Sequence, residues 1–258
     1  DVGRDDAHQA ALAAAQRALA CLLRGDRRDR YSYGHMPLRE EVLQTVSDAQ
    51  GVPSLAVSRN RYGAIVLNTA RVAFLDLDFP PTTAGVQLKN LFARLLGKSV
   101  PSAEAQHEAE VWTRLEQFVV GNPGYGFRVY RTFAGVRAMA THGLFDPATP
   151  ATLDMLRRLG TDPLYVRLCQ AQECFRARLT PKPWRCCCLP NPVRWPRDEA
   201  DEQSRFEQWE AEYTAAQEGY ATCRLLGTLG EEQVLPEVQP IIRLHDQITR
   251  CHDPLALA

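Results

Sequence analysis

No apolar stretch in this 258-residue chain approaches the roughly 20 residues that a helix needs to cross a bilayer, so a membrane span is not expected. An excess of either charge is missing too. Thirty Lys and Arg stand against 31 Asp and Glu, a net charge of -1, and no global field draws the chain onto nucleic acid or lipid. Any such contact has to come from a local patch. The Ala-rich start carries acids and lacks the order of positive charge, apolar core and cleavage site of a secretory signal, which reads as a cytoplasmic protein. The opening Asp1-Val2, without Met, suggests a processed or trimmed chain. A disulfide framework is not expected at this size without a secretion signal. Cys169, Cys174 and Cys186 could supply zinc thiolates, but the C-x2-C pairing of a zinc knuckle is absent and no histidine lies in the cluster. Free thiols are the plainer reading.

What is present begins with a core, since 45% of the residues are hydrophobic, enough for one large domain or two small ones. The most informative stretch is Arg71 to Pro80, R-V-A-F-L-D-L-D-F-P, an apolar run holding two carboxylates one residue apart. On a strand, alternate side chains share a face, so Asp76 and Asp78 project one way while Leu75, Leu77 and Phe79 project the other way into a core. Two neighbouring acids at the end of a buried strand repel each other unless something positive sits between them, and a divalent cation is the usual solution. The bland alternative is a strand running into solvent with two hydrated acids. A second feature is compositional. From Cys174 to Arg197 there is no acid, while Arg176, Arg178, Lys182, Arg185, Arg194 and Arg197 supply six positive charges, with Trp184 and Trp195 among them. Such a run is either a nucleic-acid contact or a loop whose arginines pair with the acidic helix Asp198 to Glu212.

Periodicity organises the rest. Ala7 to about Arg24 reads as a helix. Ser54 to Asn60, Gly63 to Thr69 and Arg71 to Phe79 read as a meander of three strands, stopped by Pro80-Pro81. Thr82 to Leu96 and Ala103 to Val120 have helical spacing. Phe127 to Thr132 and Val136 to Thr141 alternate around Phe133-Ala134-Gly135, a hairpin whose second strand puts Arg137, Met139 and Thr141 on one face. Helices follow at Pro150 to Leu159, Asp198 to about Leu225 and Val238 to Arg250. The expected architecture is α+β, an antiparallel sheet with helices packed on it. It divides into a 1–50 N-terminal helical segment, a 51–197 core and a 198–258 C-terminal helical segment, with the terminal helices offering a surface to a protein partner. His245-Asp246 and Cys251-His252-Asp253 read as ordinary surface residues, and Arg59 and Arg61 as solvated turn charges.

Three elements stand in order: the D-x-D at Asp76 and Asp78, the hairpin T-F-A-G-V-R from Thr132 to Arg137, and Asp162-Pro-Leu-Tyr165 running into Phe175-Arg176-Ala-Arg178-Leu-Thr180-Pro-Lys182. Over about residues 55 to 185 this series resembles the archaeo-eukaryotic primase superfamily, the primase-polymerases. That family has a strand-borne h-D-h-D, a hairpin motif often written G-V-H, and a third acid followed by a tyrosine and a basic stretch. The resemblance implies an RRM-like antiparallel sheet and metal-dependent nucleotidyl transfer on DNA or RNA, as a primase or template-dependent polymerase in DNA replication or repair. It implies Mg²⁺ or Mn²⁺ held by Asp76, Asp78 and Asp162, and nucleoside triphosphates met by Arg137, Arg176, Arg178 and Lys182. Trp184, Arg185 and Arg194 would meet nucleic acid, with Trp195 and Tyr165 as further stacking platforms. Phosphoryl transfer needs little covalent help and much placed charge, which these residue types supply.

One position departs from the pattern: Arg137 stands where the family has histidine. Arginine binds phosphate but cannot lose its proton at neutral pH, so an acid-base role there is excluded. His142, at the end of the same strand, alternates to the opposite face. Two other readings stay open. One is a primase-like module that binds nucleotide or nucleic acid without catalysis. The other is a haloacid-dehalogenase-like phosphatase, whose D-x-D continues with Gly and then Thr or Val; here Phe79-Pro80-Pro81 follows, a stiff segment poor in backbone donors.

Overall fold

Asn60 sets the first hairpin. Its side-chain oxygen accepts from the N–H of Tyr62 and Ala64 at 3.0 and 3.1 Å, and Gly63 takes φ +94°, so the chain reverses within four residues. A Cβ at Gly63 would also lie 1.9 Å from the Trp209 ring. The reversal joins β2 (Pro53–Arg59) to β3 (Ile65–Thr69); β1 (Glu41–Ser47) flanks β2 and β7 (Phe175–Arg178) flanks β3, giving an antiparallel sheet of order β1-β2-β3-β7. The structure, a computed structural model, describes residues 40–47, 51, 53–80 and 102–258. The helices expected at 7–24 and 82–96, and Cys21, lie outside them. The chain divides into two compact units, Asp1–Leu38 and Arg39–Ala258, and the second is the one described.

The acidic run does not continue the meander. A bend at residues 70–73 carries the chain away from the first sheet, where Arg71 C=O accepts from Phe145 N–H at 2.7 Å and Ala73 C=O from Ala140 N–H at 2.9 Å. β4 (Phe74–Asp78) therefore opens a second antiparallel sheet with β5 (Gly126–Thr132), β6 (Gly135–Ala140) and β9 (Cys223–Gly230), in the order β4-β6-β5-β9. β4 and β5 run in the same direction with β6 between them, a split β–α–β whose helix is α1 (Ala103–Gly121). Ser102 Oγ caps α1 by accepting from Ala105 N–H. The register sorts the side chains. Leu75, Ala138 and Val129 align across three strands on the face toward α1, where Arg131 pairs with Glu104 and Glu108 and Phe127 meets Phe118. Asp76, Arg137 and Tyr130 align on the other face.

That second face is covered by α5 (Gln239–Thr249), whose His245 ring lies 4.6 Å from Tyr130 and 5.8 Å from Phe74. Along the chain, α2 (Pro150–Arg158) and α3 (Pro163–Gln172) connect β6 to β7, and α4 (Ala200–Gln217) follows the basic run. Sequence periodicity missed α3, whose start is an Asp162 N-cap with Pro163 in the first turn. The helix expected to reach Leu225 ends at Gln217. The chain then turns at Gly219 into β8 (Tyr220–Ala221), which pairs in parallel with β10 (Ala256–Leu257), and on into β9. Residues 198–258 are thus no appended helical segment, because β9 completes the second sheet. Likewise 41–47, expected within a helical segment, form β1. The α+β class with antiparallel sheets is as expected, but among the described residues it is built on two four-stranded antiparallel sheets, with the small parallel β8–β10 pair beside them, where one sheet was anticipated. Among the described residues no helix is long and apolar enough to cross a membrane.

Candidate functional site

Asp76 is half-buried and Asp78 exposed at the end of β4, on the face opposite the buried Leu75 and Leu77, as strand alternation requires. The backbone brings Asp162 to them: its N–H donates to Asp76 C=O at 2.8 Å. Asp162 Oδ2 accepts from Tyr165 N–H at 3.0 Å to cap α3, which leaves Oδ1 for another partner. Burial, then the Asp76 charge and then the Asp162 charge raise the Asp78 carboxyl above its ordinary range, while Lys182 and Arg185 pull it down. Gly135 is what allows β6 to start against these acids, since a Cβ there would lie 2.3 Å from Leu77 O and 2.9 Å from Asp78 Cα.

The cations arrive on the segment after β7. Thr180 Oγ1 accepts from Ile65 N–H at 2.8 Å, and the Tyr213 hydroxyl of α4 donates to Pro181 C=O at 2.6 Å, so the chain is pinned on both sides as it reaches Lys182. A 3₁₀ turn at Pro183–Arg185 then presents Arg185. Burial, with Arg178 and Arg185 nearby, lowers the proton affinity of Lys182, and Asp78 and Asp76 oppose that. Burial lowers Arg185 in the same way, again opposed by Asp78 and Asp76. Arg178 is held down to about 10 by burial and by Arg137 and Arg185, and its Nε is buried without a hydrogen-bond partner. Three carboxylates and at least three cations therefore share one electrostatic neighbourhood.

Arg137 pairs with Asp76 across β4 and β6 but is only 5% exposed. Its Nη1 donates to Arg178 C=O at 2.9 Å and to His245 Nε2 at 3.3 Å, so it braces the site from beneath. Arg176 is not brought to the acids, because Glu40 takes it in two charge-assisted bonds of 2.6 and 2.7 Å. Tyr165 cannot stack on a base: it is buried, and its hydroxyl bridges Arg176 C=O and N–H at 3.0 and 3.1 Å. Trp184 is 47% exposed, edge-on to Tyr62 and capped by the Lys182 ammonium 5.6 Å from its ring. Phe133, which sequence reading passed over, is equally exposed at the hairpin tip, with the Arg185 guanidinium 4.2 Å over its ring. Arg194 and Trp195 are exposed farther along, Trp195 under Arg197. Two arginines of the basic run are held in ion pairs at the start of the first sheet: Arg176 by Glu40, just before β1, and Arg197 by Glu41, its first residue. Arg59, expected in solvent, is buried against Glu41, Glu210 and the Phe206 ring.

His245 and Asp246 are a second correction. Both are buried, because they continue the Ile241 stripe of α5 one turn on, a signal the short motif concealed. Asp246 accepts from His245 Nδ1 at 3.0 Å, Tyr130 Oη at 2.7 Å, and Arg128 Nη2 and Nε at 2.6 and 3.1 Å. Burial lowers the His245 imidazole to about 4, so it is neutral near pH 7, with its Nδ1 proton on Asp246 and its Nε2 lone pair on Arg137.

Among the described residues, one group of three His, Cys, Asp or Glu side chains has ligand atoms all within 4.8 Å of one another: Asp246, Cys251 and His252. It fits a metal poorly. The carboxylate is already occupied by Arg128, Tyr130 and His245, and burial and the Asp246 charge push the Cys251 thiol up to about 12. Cys169, Cys174 and Cys186 do not form such a group. Cys169 sits in the main core and Cys186 in a separate cluster with Phe206, Trp209 and Tyr213. Asp76, Asp78 and Asp162 are not drawn that close either, but their mutual repulsion is the charge a hard divalent cation would relieve. No protein-family model, curated protein or solved structure matches the chain.

Proposed function

We propose that the chain carries out metal-dependent nucleotidyl transfer, working with nucleoside triphosphates on DNA or RNA as a primase or template-dependent polymerase does. The observation that carries this reading is the meeting of Asp76, Asp78 and Asp162 with Lys182 and Arg185, carboxylates for a cation and cations for a polyphosphate in one place. Asp76, Asp78 and the free Oδ1 of Asp162 would hold Mg²⁺ or Mn²⁺, which when bound offsets phosphate charge and eases deprotonation of an attacking hydroxyl. Lys182 and Arg185 bind the non-bridging phosphate oxygens, with Arg178 behind them. Trp184 and Phe133 offer stacking faces beside that pair, and Arg194 a further contact to the strand's backbone. The split β–α–β of β4, α1 and β5 around β6 supports an RRM-like core, with β9 added beside β5 and the first sheet meeting it through β7.

The test is nucleotide incorporation on primed and unprimed templates with Mg²⁺ or Mn²⁺. The expected result is metal-dependent incorporation that falls by at least about two orders of magnitude in Asp76→Ala. Tight binding of DNA or RNA with no incorporation, indifferent to Asp76→Ala, would sink the enzyme and leave a binding module.

A further inference from the structure

Beneath the acids lies a chain of buried polar groups that the reaction does not touch. Arg128 and Tyr130 of β5 converge on Asp246 of α5, Asp246 receives the Nδ1 proton of His245, and His245 Nε2 receives Arg137 Nη1. Phe74 and Tyr130 flank the imidazole, and none of it is exposed to solvent. The same Arg137 nitrogen also holds Arg178 C=O, the last residue of β7 before the segment that delivers Lys182 and Arg185. One guanidinium therefore ties the sheet that bears Asp76 to the strand that bears the phosphate-facing cations. Its setting depends on an acceptor supplied from outside both sheets.

We propose that His245 is a positioning residue for the site. By accepting from Arg137, it fixes the rotamer in which that guanidinium clamps β7 against β6 next to Asp76, and Asp246 with Arg128 and Tyr130 fixes His245 in turn. This rests on the nucleotidyl-transfer reading above. A long side chain left to itself samples several rotamers, and an error of about 1 Å in the placement of reacting groups costs on the order of 100-fold in rate. Neutral imidazole suits the task because Nδ1 anchors as a donor while Nε2 offers the lone pair a guanidinium needs. The C-terminal helix α5 thereby belongs to the catalytic apparatus although it contributes no group that meets substrate.

The experiment compares steady-state incorporation, with Mn²⁺ and a nucleoside triphosphate, in wild type, His245→Leu, His245→Gln, Arg137→Met and the two double variants. His245→Leu is expected to lower kcat by ~10- to ~100-fold while KM for the triphosphate moves less than ~3-fold. His245→Gln, whose Oε1 can accept from Arg137, recovers most of the loss. In the Arg137→Met background neither His245 substitution has a further effect, since the residue through which it acts is gone. If His245→Leu does not fold, Asp246→Asn, which loosens the anchor and keeps the Nε2 acceptor, is expected to show the same kcat loss and the same non-additivity. A folded His245→Leu or Asp246→Asn with wild-type kcat, or losses that multiply with those of Arg137→Met, overturns the positioning role alone. Absence of Asp76-dependent incorporation in the wild type overturns the nucleotidyl-transfer reading, and the positioning role with it, before any His245 variant is compared.

Discussion

At the scale of the residue, the least expected side chain is a buried histidine held between two charges. Burial lowers His245 to about 4 from its ordinary 6.5, with Arg137 adding to the effect and the hydrogen bond to Asp246 opposing it. Below pH 6.5 the unfolded chain takes up a proton that the folded chain refuses until about pH 4. Folding stability is therefore expected to fall as pH drops through that window, with a slope approaching ~1.4 kcal/mol per pH unit. Asp246 works in the same direction at lower pH. Burial raises its carboxyl, but bonds from His245 and Tyr130 and the Arg128 charge outweigh that and hold it below the usual range, so its contribution is lost as pH falls below that of an ordinary carboxylate. Urea denaturation followed across these pH values checks this. His245→Gln should flatten the slope between pH 6.5 and 4, and an unchanged slope would show that another group carries it.

At the scale of the element, the hairpin shows how local sequence and tertiary contact divide the work. Alternation around Phe133-Ala134-Gly135 makes β5 and β6 legible in the sequence, and the two-residue period of a strand is enough to put Asp76 and Asp78 on one face. Gly135 has a role that alternation does not reveal, since its missing Cβ lets β6 lie against Leu77 O and Asp78 Cα. Gly135→Ala is expected to cost ~1–3 kcal/mol of stability by forcing the strands apart, and to lower incorporation more than stability alone explains, because Asp78 moves. Chemical denaturation beside the incorporation assay separates the two. The elements that escape sequence reading do so for definite reasons. α3 hides behind an Asp-Pro start that also looks like a motif, and β9 behind a helical pattern extended past Gly219. β4 sits in a different sheet from β3 because partners far along the chain, Ala140 and Phe145, redirect it. The Asp76–Asp78 pair and the basic residues Lys182 and Arg185 are legible from composition and spacing. The capture of Arg176 by Glu40 and the burial of Arg137 on His245 depend on contacts more than 100 residues apart in sequence, which no local pattern carries.

At the scale of the whole molecule, two antiparallel sheets meet where β4 and β6 of one approach β7 of the other, and the charged site occupies that meeting. The first sheet supplies Lys182 and Arg185 through the extension of β7, the second supplies Asp76 and Asp78, and α3 brings Asp162 on its cap. An acid cluster that served only solubility would have no reason to lie where cations from another sheet are pinned by Thr180 and Tyr213. The claim that this junction binds a metal and a triphosphate is tested most directly by a crystal of the full chain soaked with Mn²⁺ and a non-hydrolysable nucleoside triphosphate, with anomalous scattering to locate the metal. The predicted result is Mn²⁺ bound by Asp76 and Asp78, with the phosphates against Lys182 and Arg185. Mn²⁺ bound at Asp246, Cys251 and His252 instead, or phosphates held away from Lys182 and Arg185, would contradict it.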